Sequence, residues 1–114
     1  MRRRWSWSLL TSLALAATLF GGSWLYQSRT ESELRRALGE LRAAIVAYRA
    51  AQGRAPRSLP SLVESGVLAT LPVDPTTGRR DTWIAIGEGS GEGIADVRSP
   101  CENLASDGRR YSDW

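Results

Sequence analysis

The sequence predicts an α+β fold in which one long N-terminal helix packs on a small antiparallel β-sheet. Residues 5 to 26 form an apolar run without a charged side chain, and an apolar stripe of helical period follows it closely. After Gly53 the pattern changes to loops punctuated by proline and glycine, with two short β-branched runs. A hydrophobic rod carrying a small head accounts for both halves.

The rod begins with Arg2-Arg3-Arg4, after which no charge occurs until Arg29. The intervening run is rich in Leu and Ala, with Trp5 and Trp7 near one end and Trp24 and Tyr26 at the other. That is the composition of a membrane-spanning helix with an aromatic residue at each headgroup layer. As a helix, 22 residues extend about 33 Å, enough to cross the hydrocarbon core. Three of the 15 basic residues are in the N-terminal cluster, so the remaining 12 balance the 12 Asp and Glu. The net charge of +3 therefore sits on one side of the run, which places the N-terminus in the cytoplasm and the rest outside. The predicted organisation is a cytoplasmic basic N-terminus over 1–4, a transmembrane helix over 5–26, an amphipathic helix over 27–52 and a loop-rich head over 53–114. Ala14-Leu15-Ala16 also reads as a signal-peptidase site, but apolar residues continue through Leu25, longer than a signal core.

Leu34, Leu38, Leu41, Ile45 and Tyr48 repeat at 4-3-4-3 spacing, with Ala37 and Ala44 on the same stripe. Arg35, Arg36, Glu40, Arg42 and Arg49 are expected on the other sides, and Glu31 is placed to pair with Arg35 one turn on. Gly53 and then Pro56 end the helix. Only Gly21-Gly22 interrupts the pattern between Trp5 and Gln52, so anchor and amphipathic helix read as one rod. In the head, Pro60 to Ser65 is a short helix closed by Gly66, and Pro72, Pro75 and Gly78 mark turns. Thr82 to Ile86 and Ile94 to Val97 read as strands joined by the glycine-rich segment 87–93. No helix start follows that segment and Glu88 and Glu92 would repel a phosphate, so it is a hairpin connection. The last stretch, from Ser99 to Trp114, is predicted to be an irregular tail folded back on the sheet.

Composition excludes much chemistry. With no His, no Lys and one Cys, the chain lacks Ser-His, Cys-His and Ser-Lys pairings, His/Cys metal sites and lysine-dependent phosphate loops. Glu88, Glu92 and Asp96 read as solvated charges near one hairpin, and no enzyme is expected. Cys101 has no internal partner and is expected buried and inert. The sequence pI of 9.7 follows from the topology signal, and no nucleic acid is expected as a partner.

The order of a basic N-terminus, a membrane helix continuing into an amphipathic helix, a loop and a small sheet resembles the type IV pilin-like proteins. It is most similar to the major pseudopilin family of type II secretion systems. Tyr48, Gly53 and Pro56 resemble that family's helix ending, and Leu59, Leu62 and Val63 its short second helix. Leu71-Pro72-Val73-Asp74-Pro75 with Gly78 is similar to its Leu-Pro-x-Asp-Pro turn, and residues 96–99 and 107–114 to its closing strand and loop. Arg4-Trp5-Ser6-Trp7-Ser8 departs from the family at the leader, without the Gly before the cleavage point or an acid before Glu31. A specialised member retained in the membrane is therefore expected. The resemblance implies calcium in the C-terminal loop, for which Asp107 and Asp113, with Asn103 or the Ser99 carbonyl, are the candidate oxygen ligands. Solvated turn aspartates are the competing reading.

The resemblance implies a structural or accessory subunit of a type II secretion or type IV pilus machine in the bacterial inner membrane, with its head in the periplasm. Its partners would be other pseudopilins or the secretion platform proteins, the lipid bilayer, and further copies of itself. Ala14, Ala16, Ala17, Gly21 and Gly22 would let helices approach closely in lipid. The alternative is a membrane-tethered periplasmic binding module that joins no fibre and recognises its target through the Trp83 and Trp114 region.

Overall fold

In a computed structural model, the structure describes residues 6–89 and 91–114, with side chains described from Trp24 onward. The chain is α+β. Helix α1 (Ser6–Gln52) is followed by a short helix α2 (Pro60–Glu64), strands β1 (Ile84–Gly87) and β2 (Ile94–Arg98), and a 3₁₀ turn η1 (Tyr111–Asp113). Residues 5–23 of the expected membrane span lie outside the described side chains. Within the described residues no helix is long and apolar enough to cross a membrane.

The core is the stripe expected on α1. Leu34, Ala37, Leu38, Leu41, Ala44, Ile45 and Tyr48 are all buried, and they meet Leu59, Leu62, Trp83, Ile94, Val97, Ala105 and Tyr111 from the head. Side chains three and four residues apart share a helix face, so one 15-residue stretch presents a continuous apolar ridge to the smaller elements. At roughly 25 cal/mol per Å² of buried apolar surface, this ridge is the main source of stability for the small head.

Gly53 closes α1 in the left-handed conformation, φ 71°, with its amide donating to Arg49 O at 2.8 Å. A side chain there would be strained, which is why the helix stops at this residue. α2 has Pro60 in its first turn and ends at Glu64, one residue earlier than the predicted Ser65, with Gly66 behind it at φ 83°.

The strands pair antiparallel, with Ile84 opposite Arg98, Ala85 opposite Val97, Ile86 opposite Asp96, and Gly87 opposite Ile94 across a bulge. β1 starts two residues later than predicted, because Thr82 and Trp83 serve other contacts. Trp83 is buried with Nε1 donating to Pro72 O at 2.8 Å, and the Thr82 hydroxyl bonds that of Thr77 at 2.7 Å. The bulge lets Ile94 and Val97, three apart, both face the core. At the end of the hairpin, a Cβ on Gly93 would lie 2.7 Å from the Ala55 Cβ, so this glycine fixes how closely the hairpin approaches the end of α1.

The tail is irregular apart from η1. Residues 101–114 fold back over α1, which offers a buried acceptor at Glu31 and a cation at Arg35, and Ala105 and Tyr111 join the same core as Ile94 and Val97 of β2. Tyr111 N donates to Asn103 O and Ser112 N to Cys101 O, closing the tail into a loop against the helix. Cys101, expected buried, is only half-buried, with a free thiol.

Candidate interaction surfaces

Four features of the head carry the functional argument: a polar seam between α1 and the tail, a buried aspartate, a cleft beside β1, and a second stripe on α1.

The seam begins at Glu31, which continues the core stripe one step below Leu34 and is itself buried. Its Oε1 accepts from Ser106 N at 2.7 Å, Tyr111 Oη at 3.1 Å and Gln27 Nε2 at 3.3 Å, and its Oε2 accepts from Ser106 Oγ at 2.6 Å. The Ser106 hydroxyl is the main reason its carboxyl is held below its ordinary value. Burial opposes that shift, and the Ser106 amide, Tyr111 and Gln27 assist it. Tyr111 moves the other way, pushed up by burial and then by the Glu31 carboxylate. The predicted Glu31–Arg35 pair does not form. Four neutral donors satisfy Glu31, while Arg35 lies over the Trp114 ring at 4.5 Å, and Trp114 meets Tyr111 edge-on at 5.3 Å.

Two turns further along, Arg42 joins three segments. Its Nε donates to Asp96 Oδ1 at 2.8 Å, and its Nη2 to Val97 O at 3.2 Å and Trp114 O at 2.7 Å. Burial works against the Asp96 charge, but Arg42 and the Val97 amide together hold its carboxyl below the ordinary range. Arg49 pairs with Glu88 at the hairpin. Two of the three acids expected to be solvated therefore fasten the sheet to α1.

Asp74, from the Leu-Pro-x-Asp-Pro segment, is fully buried. Oδ1 accepts from Thr76 N at 2.8 Å and Thr76 Oγ1 at 2.6 Å, and Oδ2 from Ser99 Oγ at 2.7 Å. Its main chain closes the turn, with Asp74 N donating to Arg79 O and Gly78 N donating to Asp74 O, both at 2.8 Å. An aspartate at a turn start is the residue that can bond its own backbone two positions on. This one also holds β2's exit at Ser99. Its role is structural.

Of the candidate calcium ligands, Asp107 and Asp113 stand apart from this network, while Ser99 belongs to it. Asp107 Oδ1 accepts from Arg109 N at 2.9 Å, and Oδ2 from Arg109 Nε at 3.0 Å and Nη2 at 2.9 Å. Both oxygens are thus turned to one arginine, whose amide does most to hold the carboxyl below its ordinary value. Asp113 is exposed in η1, Asn103 O accepts from Tyr111 N, and the Ser99 hydroxyl serves Asp74. Among the described residues no three His, Cys, Asp or Glu side chains gather as a metal would require. The Asp107 carboxylate, the best of these donors, is engaged by the Arg109 guanidinium.

The cleft beside β1 has a volume of about 520 Å³. Leu59, Leu71, Trp83 and Ile94 form apolar walls, Ala85 and Gly87 add the near face of β1, and Arg57 and Arg80 stand at the rim. Asp81 is also present, but its two oxygens take Arg79 Nε at 2.8 Å and Nη2 at 2.6 Å. Trp114 is not among the lining residues, so the two tryptophans expected to share a surface serve different ones.

The second stripe lies on α1 away from the core. Gly39, Ala43, Val46, Ala47 and Ala50 are exposed, Val46 to 67 %, and a Cβ on Gly39 would meet nothing within 4 Å. Spacing of 4-3-4 from Gly39 to Ala50 puts them along one line of the helix. Sequence reading passed over them because small residues carry a weak hydrophobic signal. Where the described side chains of α1 begin, Trp24, Leu25 and Tyr26 are 68, 62 and 74 % exposed, and consecutive residues point in different directions around the axis.

Comparison of the chain with protein-family models, with curated proteins and with solved structures finds no match.

Proposed function

We propose that this protein is a pseudopilin-like structural or accessory subunit of a type II secretion or type IV pilus-type machine, anchored in the bacterial inner membrane with its head in the periplasm. The observation that carries this reading is the second stripe on α1. A helix that served only as the backbone of a monomeric head would gain from charge on its solvent side. Here that side keeps Gly39, Ala43, Val46, Ala47 and Ala50 in a row. Small side chains set the lower end of the 8–10 Å range of helix separations, so a second rod can lie close along this line.

Trp24, Leu25 and Tyr26 support the anchor. A soluble helix hides such residues on one side, whereas the headgroup layer of a bilayer receives them all round. Partners are then other pseudopilins, platform proteins or further copies of this chain, and the protein works by packing, without turnover. The test is association of the full chain in mild detergent or nanodiscs, by crosslinking and sedimentation. Ala43→Arg is expected to abolish assembly while leaving the fold intact, and a wild-type chain that stays a solitary monomer would overturn the reading. A tethered binding module that joins no fibre is the second reading, favoured by the cleft at Trp83.

A further inference from the structure

The two strands of the sheet differ at their outer edges. The outer edge of β2 is closed: Ile94 N donates to Pro56 O at 2.8 Å and Val97 O accepts from Arg42. β1 has β2 on one side only, and among the described residues nothing bonds the main chain of Ile84, Ala85 or Ile86 on the other. An open edge offers a row of donors and acceptors to any extended chain. The cleft, walled by Leu59, Leu71 and Trp83, lies on the face of the sheet that carries Ala85, Gly87 and Ile94.

We infer that β1 receives an extended, acidic peptide segment of a partner protein as a third strand, with alternate side chains entering the cleft. Side chains alternate across a strand, so a segment paired to β1 projects every second residue to the face shared by Trp83, Ala85 and Gly87. The apolar walls suit aliphatic or aromatic residues at those positions. Arg57 and Arg80 set the charge. Arg57 forms no ion pair among the described residues, Arg80 bonds only Leu71 O at 3.0 Å, and Asp81 is already neutralised by Arg79. A second copy of β1 is a poor occupant, because pairing two copies brings the same rim arginines together.

This inference goes beyond the assembly reading and is independent of whether α1 joins a fibre. Its test uses the full chain in nanodiscs and an array of acetylated octapeptides alternating Glu or Asp with Val, Ile, Leu or Phe, alongside the same peptides with Lys in place of the acids. Acidic members should bind and slow amide exchange in Ile84–Gly87 at least tenfold, and the Lys series should not. The double variant Arg57→Glu/Arg80→Glu alters two exposed side chains, so it should fold normally by circular dichroism yet bind the acidic peptides at least tenfold more weakly. Equal binding of both series, tight acidic binding by the double variant, or binding without protection of β1 would overturn the proposal. So would failure of every acidic member at roughly 1 mM, the weak limit of specific recognition, while subunit association in the absence of peptide tests the rod reading separately.

Discussion

Two lines run along the same helix at the same spacing and meet opposite fates. Leu34, Leu38, Leu41, Ile45 and Tyr48 are buried under the head, whereas Gly39, Ala43, Val46 and Ala50 face outward. Period alone does not distinguish them; side-chain size does. Large aliphatic residues repay burial by area, so the head condenses on them. Small ones repay little alone and contribute mainly by allowing another backbone to come close. One helix thus holds its own domain on one side and leaves the other available.

That contrast can be broken experimentally. Leu41 is fully buried, so Leu41→Ala should destabilise the head by about 3 kcal/mol, whereas Val46→Ala should change stability by less than about 0.5 kcal/mol. Thermal unfolding of both variants in detergent, followed in the near-ultraviolet, measures the difference. Similar losses would mean that both faces are packed within one molecule.

Next in size is the polar end of the core line. Glu31→Gln keeps the shape but replaces an acceptor of four hydrogen bonds, and should cost about 2 kcal/mol, the scale of bonds to a charged group. Tyr111→Phe, which removes one donor, should cost about 1 kcal/mol. The same carboxylate makes stability depend on pH. Its folded value lies below its ordinary 4.5, so its contribution is complete above that value and is lost as pH falls through the folded one. Asp96 is depressed in the same direction, so Glu31→Gln should flatten the acid limb of a stability–pH curve without abolishing it. An unchanged limb would remove Glu31 from the seam.

The smallest effect sharpens the comparison most. Gly39 lies in the interior of a helix with open space around its Cβ position, so Gly39→Ala should stabilise the folded monomer by about 0.5–1 kcal/mol. If the outward line is a close-packing surface, the same methyl group should weaken association of the full chain in sedimentation. A gain in both would place the contact elsewhere on the rod.

Much of this architecture was legible in the residues. Repeating Leu spacing located the ridge, Gly53 its end, and two β-branched runs around a glycine-rich segment located the hairpin. What stayed hidden depended on contacts distant in sequence. Glu31 looks like a surface charge beside Arg35 until Ser106 and Tyr111, about 75 to 80 positions away, arrive to satisfy it. Asp74 reads as an ordinary turn residue because nothing local shows that Ser99 will cover it. The resemblance points to Asp107 and Asp113 as oxygen ligands, and it does not show that Arg109, two positions from the first, bonds its carboxylate.

A single guanidinium, that of Arg42, holds the rod, the returning strand and Trp114 together. The tail is fastened to the same rivet as the strand, so loosening at Trp114 is coupled to opening at Val97. Proteolytic nicking of the tail would be felt at the hairpin.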